Sequence, residues 1–218
     1  MTMVGLCLAV AAESYLLGSI DAGILVSRLL YHDDIRAHGS GNAGMTNILR
    51  TYGKGAAALT ALGDGLKGVA AVFIARALFG SFGTADPLCG MYLAALFAVI
   101  GHMKPIFFGF KGGKGVMVGA GCALAINPAA TLVLLAVFLA VFLPTRMVSL
   151  CSIIVAVGFT VEALVCGVWV YQLPPAALAA VTVCAALTSF LVVFGHRSNI
   201  QRIKNGTEYR FDGSHRKN

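Results

Sequence analysis

The sequence predicts an all-α integral membrane protein with about seven transmembrane helices, some of them short, built as a single domain over residues 1–218. Three observations predict it. The chain is 58% apolar and 11% charged, against roughly 25% charged in soluble domains. Its apolar runs approach the ~20 residues that an α-helix needs to cross a bilayer. Lys and Arg fall between some of those runs and are missing between others, as membrane orientation requires.

The first run, about 3–26, has no basic residue before Arg28 and passes Leu17 into Gly18-Ser19 without a cleavage motif. It reads as a spanning helix rather than a removed signal. Further spans are expected at about 55–79, 87–103, 148–171 and 175–195. The stretch from Val116 to Leu143 is interrupted by Asn127-Pro128 and reads either as one kinked span or as a hairpin of two short helices. Charge decides between them. Basic residues gather in 28–54, in 104–114, at Arg146 and after Arg197, while the loops near 80–86 and 171–175 carry none. A single span would put the basic tail opposite the basic loops; a hairpin puts every basic segment on one side. The expected topology is N-terminus out and C-terminus in, with three cytoplasmic-face motif segments at about 31–54, 101–116 and 196–218.

Several function classes are excluded. The net charge of +7 is scattered between spans rather than gathered in a stripe, so no nucleic acid is expected. The six cysteines lie in or beside apolar runs without a Cys-x-x-Cys pair or a histidine at zinc-ligand spacing, so neither disulfide nor metal is expected. Gly39-x-Gly41-x-x-Gly44 matches the dinucleotide fingerprint, with Asp64 about twenty residues on, but no strand precedes it and Asp64 lies in an apolar helix. In Lys111-Gly-Gly-Lys-Gly115, glycine stands where a Walker loop needs Ser or Thr.

The motifs that remain are suited to anions. Gly39-Ser-Gly-Asn-Ala-Gly-Met-Thr-Asn-Ile-Leu-Arg50 places hydroxyl, amide and guanidinium donors on a flexible backbone. Lys111-Gly-Gly-Lys-Gly115 opens the first hairpin helix, whose free N–H groups and dipole would face the loop. Gly115-x-x-x-Gly119 also suits helix packing, whereas Gly112 and Gly113 between two lysines favour anion binding. In the tail, His196 and Asn199 share a helical face, and Gly206 before Glu208 indicates a turn that returns the carboxylate. His196 is the tail residue suited to proton transfer near neutral pH. Asp64 and Lys67, three apart, read as a structural ion pair. Glu13 and Glu162 are isolated acids in apolar helices with no partner legible in the sequence.

Together with Leu16-Leu-Gly-Ser19 and Gly101-His-x-x-Pro105, these segments resemble the bacterial acyl-phosphate:glycerol-3-phosphate acyltransferases, the PlsY family, over essentially the whole chain. The resemblance implies transfer of a fatty acyl group from acyl phosphate to the 1-hydroxyl of glycerol-3-phosphate. The products would be lysophosphatidic acid and inorganic phosphate, in the first committed step of phospholipid synthesis. It implies no nucleotide, metal, acyl-CoA or other cofactor, a bacterial inner membrane and motifs facing the cytoplasm. By the same resemblance Ser40, Arg50, His196, Asn199 and Glu208 surround the reacting groups. Substrate binding is expected from Gly39, Gly41, Asn42, Thr46 and Asn47, and from Lys104, Lys111, Gly112, Gly113, Lys114 and Gly115. Asp21 stands where the family usually has proline, and Met117-Val118 replaces a common Ala-Thr. A soluble acyl-transfer enzyme is compatible as the source of acyl phosphate. The oligomeric state stays open, with a monomer compatible.

A mixed anhydride already carries phosphate as its leaving group. What remains is to bring two anions together, activate a hydroxyl and stabilise a tetrahedral oxyanion. His-x4-Asp is absent, so the base is either a substrate phosphate, whose second pKa is near 6, or His196. The rival classes are a small transporter of an organic phosphate and a metal-dependent phosphotransferase. The first lacks an inverted repeat here and the second lacks paired Asp clusters.

Overall fold

The computed structural model describes residues 2–82 and 85–211. Ten α-helices make up most of them, with no strand among the described residues: α1 (Met3–Gly18), α2 (Ala22–Tyr31), α3 (Met45–Tyr52), α4 (Lys54–Phe82), α5 (Pro87–Met103), α6 (Val116–Ile126), α7 (Pro128–Thr145), α8 (Val148–Trp169), α9 (Pro175–Gly195) and α10 (Arg197–Lys204). Among the described residues six segments are long and apolar enough to cross a membrane: Met3–Tyr31, Lys54–Phe82, Pro87–Phe108, Pro128–Thr145, Val148–Trp169 and Pro175–Gly195. Val116–Ile126 is a shorter apolar helix.

α5 is the centre of the bundle, packed against α1, α4, α6 and α9. Lipid offers helices little hydrophobic drive to associate, so close backbone approach must supply the contact. A Cβ on Gly18 would stand 2.2 Å from the Ala98 carbonyl, and one on Gly101 2.2 Å from that of Tyr15. Gly68 and Gly121 let α4 and α6 meet in the same way. The outer surface carries exposed Leu, Val and Phe, and no residue of α7 is buried.

The expected first span of about 3–26 is interrupted. The chain leaves the helix at Ser19 and restarts at Ala22, with the Asp21 carboxylate accepting from the Ile24 N–H at 3.0 Å. α4 repairs the break. Asp64 Oδ1 accepts from the Ala22 N–H at 3.3 Å, Lys67 Nζ donates to the Ile20 carbonyl at 2.6 Å, and the pair itself closes at 2.8 Å. Lys67 Nζ also lies 3.0 Å from His102 Nδ1. The ion pair expected from the sequence thus answers backbone groups freed by a helix break, as a low-dielectric medium demands.

The stretch from Val116 to Leu143 turns at Asn127-Pro128, as the hairpin expectation has it, but its arms are unequal. The eleven residues of α6 rise about 16 Å, roughly half the hydrocarbon thickness. The 18 residues of α7 are enough to cross, so the expectation of two short helices fits the first arm alone. The turn is satisfied by side chains. Asn127 Oδ1 accepts from the Ala130 N–H at 3.1 Å, its Nδ2 donates to Glu162 Oε1 at 3.3 Å, and the Tyr92 hydroxyl donates to Glu162 Oε2 at 3.1 Å. Glu162 therefore has partners that the sequence did not reveal.

Candidate active site

Helix starts expose donors that need partners. Asp21, Asp86 and Asn127 supply them with side-chain caps for α2, α5 and α7. α9 starts without one after Pro174, away from the cavity, and four more helices also lack a side-chain cap: α3 after Gly44, α6 after Gly115, α8 after Met147 and α10 after His196. First-turn residues of all four line one cavity of about 150 Å³, among them Met45, Val116, Ser149 and Asn199. Helix starts without side-chain caps, gathered around one cavity, are chemically suited to an anion before any charged side chain is counted.

Charged side chains add to it. Lys114 Nζ donates to Asn199 Oδ1 at 2.5 Å, and Asn199 Nδ2 donates to Glu208 Oε1 at 2.7 Å. Ser149 Oγ gives the same oxygen a hydrogen bond at 2.7 Å, and Arg202 Nε reaches Glu208 Oε2 at 2.8 Å. Burial raises the Glu208 pKa, but donation from Asn199, Ser149 and Arg202 outweighs it and holds the carboxyl below its ordinary value. Burial, reinforced by Arg202, lowers Lys114 to about 8. His196 is buried, its Nδ1 is 2.8 Å from the Val192 carbonyl, and it is lowered to about 4, chiefly by burial. Because a carbonyl only accepts, Nδ1 carries the proton and Nε2 keeps its lone pair. Arg50, on the last turn of α3, makes no hydrogen bond or ion pair among the described residues; its guanidinium carbon lies 3.7 Å from the Tyr209 ring centre.

The structure places the expected residues unevenly. Ser40, Asn42, Thr46, Asn47, Arg50, Lys114, Gly115, His196, Asn199 and Glu208 line the cavity. Asn47 is also the organiser of its own loop. It is buried, its Nδ2 faces the carbonyls of Ile35, His38 and Asn42, and its Oδ1 accepts from the Ser40 N–H at 3.1 Å. Gly39 is in the left-handed region, and a Cβ there would strike Asn47 Oδ1. Gly41 and Gly39 shape that turn without lining the cavity. Lys104, Lys111, Gly112 and Gly113 also stand outside it. Lys104 and Lys111 are exposed. Gly112 and Gly113 are small because His102 lies against them: a Cβ would sit 2.0 Å from its carbonyl and 2.1 Å from its Nε2, and the Gly113 N–H already donates to that carbonyl at 3.1 Å. Close packing against His102 is therefore a second demand on the pair that the sequence assigned to an anion.

Sequence reasoning missed His102, Ser149, Arg202 and Tyr209 in the lining, and Asp64, which it read as a structural ion pair, lines the cavity as well. For Arg202 a signal existed, since it shares the face of α10 with Asn199, three residues away. Ser149 gave none, because a lone serine in an apolar run has no periodic mark.

Gly115, Val116, Met117, Phe138 and Ser152 belong both to this cavity and to an apolar groove of about 590 Å³ between α4, α6, α7, α8 and α9. The polar pocket thus borders an apolar groove whose lining suits a hydrocarbon chain.

Known proteins match this arrangement. The family model described as glycerol-3-phosphate acyltransferase matches residues 8–206. The glycerol-3-phosphate acyltransferase of Clostridioides difficile is 43% identical over 199 residues, covering 91% of this chain and 92% of that protein. That of Neisseria meningitidis serogroup B is 41% identical over 203 residues, covering 93% and 96%. A crystal structure of PlsY, an integral membrane glycerol 3-phosphate acyltransferase in its glycerol 3-phosphate form, superposes with a TM-score of 0.80 at 38% identity, covering 94% of this chain and 95% of that one. Its lysophosphatidic acid form gives 0.77 at 36%. With helix starts, cations and an apolar groove disposed around one cavity and matches at this coverage, the chain belongs to the glycerol-3-phosphate acyltransferase family.

Proposed function

We propose that the protein transfers a fatty acyl group from acyl phosphate to the 1-hydroxyl of glycerol-3-phosphate, releasing lysophosphatidic acid and inorganic phosphate. The observation that carries this reading is the shared wall of the polar cavity and the apolar groove. Phosphate-directed donors line the cavity, apolar side chains line the groove, and Gly115 to Met117 border both. A soluble polyol phosphate and a lipid-borne acyl group meet there. The chain acts as a single domain of seven membrane segments, α6 being the short one, with the cavity at the cytoplasmic face of a bacterial inner membrane. The described parts of all three motif segments contribute to the cavity lining, and their basic residues favour the cytoplasmic side.

In the step itself the glycerol oxygen attacks the acyl carbon, the bond from that carbon to the phosphate oxygen breaks, and phosphate departs with the electron pair. The hydroxyl proton goes to a phosphate oxygen. The imidazole of His196, lowered to about 4 by its burial, is a weaker base than a phosphate dianion, which takes up a proton with the second pKa near 6. His196 Nε2 then orients the hydroxyl. Arg50 and Lys114 bind the phosphates, Ser40 or Asn199 donates to the oxyanion, and Glu208 fixes Asn199.

The test is a product assay on detergent-purified protein with labelled glycerol-3-phosphate and EDTA, offering palmitoyl phosphate and palmitoyl-CoA separately. Lysophosphatidic acid from the phosphate donor alone is expected. Absence of product from both donors in folded protein would move a transporter of organic phosphates to the front. His196→Gln should lower turnover without abolishing it; complete loss at unchanged affinity would make His196 the base.

A further inference from the structure

Arg50 is the cation at the cavity held in an unusual way. Lys114 is tied to Asn199 and Arg202 to Glu208, whereas none of Arg50's donors has a partner among the described residues. The guanidinium is seated on aromatic faces, 3.7 Å from the Tyr209 centroid and 6.0 Å from that of Phe211. A ring face binds a guanidinium through its plane and leaves the in-plane N–H groups unused. Without that seat the long, exposed side chain would be free to swing through solvent or toward Glu208, whose charge attracts it.

The tail that brings the ring there is anchored on both sides of it. Gly206, with φ +69, turns the chain after α10. Glu208 is fixed by Ser149, Asn199 and Arg202. The Phe211 N–H donates to the Arg146 carbonyl at 2.8 Å, and the Phe211 ring meets Tyr209 edge-on at 4.9 Å. The Tyr209 hydroxyl has no hydrogen bond among the described residues, so the ring is what the site uses. Tyr209 lies beyond residues 8–206, the part matched by the family model.

We propose that Tyr209 is a positioning residue for substrate phosphate: its ring seats the Arg50 guanidinium so that the donors stay free for the anion. The proposal rests on the phosphate-binding role given to Arg50 above, but its test does not require turnover. Binding of glycerol-3-phosphate and of inorganic phosphate to the full-length purified chain is measured by calorimetry, beside KM and kcat with palmitoyl phosphate. Tyr209→Leu weakens phosphate binding about tenfold and raises KM, with kcat within about twofold. Tyr209→Phe and Tyr209→Trp keep wild-type affinity, because they keep the face. In an Arg50→Ala background Tyr209→Leu has no further effect, since the pair acts as one unit.

Equal losses from Phe and Leu, or an additive Leu effect without Arg50, would overturn the proposal. So would a fall in kcat and thermal midpoint with affinity intact, which marks a merely structural tail. Should the leucine variant not fold, Tyr209→Trp decides, since weakened binding with that stronger cation-binding ring sinks the idea. If the wild type binds phosphate but makes no lysophosphatidic acid, the donor reading fails and the seating of Arg50 still stands or falls on the titrations.

Discussion

Two parts of this protein interrupt helices and gather polar groups in apolar surroundings, and they treat those groups in opposite ways. At the α1–α2 break Asp21, Asp64 and Lys67 answer N–H and carbonyl groups that the chain itself frees. At the cavity four helices start with no side-chain cap, and Arg50 keeps its donors unclaimed. A medium that penalises unsatisfied polar groups tolerates the second arrangement only where water or a ligand completes it. Asp64 also lines the cavity, but its bonds to the Ala22 N–H and to Lys67 leave it committed to the bundle, whereas the donors of Arg50 stay available to a ligand.

The sharpest way to break that contrast is to remove one charge from each region. Lys67→Met leaves Asp64 buried without its cation and should cost about 3 to 5 kcal/mol. Thermal unfolding in detergent should show it, while the fraction that remains folded keeps near-normal specific activity. Lys114→Ala should do the reverse, with kcat/KM falling about 100-fold, or ~2.7 kcal/mol, at a nearly unchanged unfolding midpoint. If the two variants exchanged these phenotypes, the division between structural and functional charge would be wrong.

Acidity gives a milder version. Burial and Arg202 lower Lys114 to about 8, so its cation is present below that pH and lost above it. KM for glycerol-3-phosphate should rise about tenfold between pH 7 and pH 9.5, where about 97% of a group with that pKa is neutral. Lys114→Arg, which stays charged, should flatten the profile even if its geometry is poorer. A wild-type profile that stays flat over this range would remove Lys114 from the anion clamp.

The smallest effect belongs to the capped turn between α6 and α7. Asn127→Ala removes the cap on Ala130 and a partner of Glu162, and should cost about 1 kcal/mol of stability with little change in KM for glycerol-3-phosphate. A large rise in that KM would extend the functional region to the membrane interior.

The two regions also differ in how far they could be read before folding. Asp64 and Lys67 showed their pairing by an i, i+3 spacing on one helix. Gly206 announced the turn that buries Glu208, because a glycine with positive φ reverses a chain cheaply. Gly112 and Gly113 were half legible: between two lysines they suggested an anion loop, but the residue that requires their smallness, His102, sits on α5 and shares no local pattern with them. Glu162 was opaque for the same reason, since Tyr92 and Asn127 come from other helices.

Composition, apolar runs and the placement of Lys and Arg were enough to determine an all-helical membrane protein, and the ordered motifs were enough to indicate its family. These are properties of local sequence, where hydrophobic length and charge act without regard to neighbours. The tertiary structure decided which helices break, which glycines pack and which cations remain unclaimed. Each of those depends on what another helix places within hydrogen-bond or van der Waals distance, and no single segment encodes its neighbours.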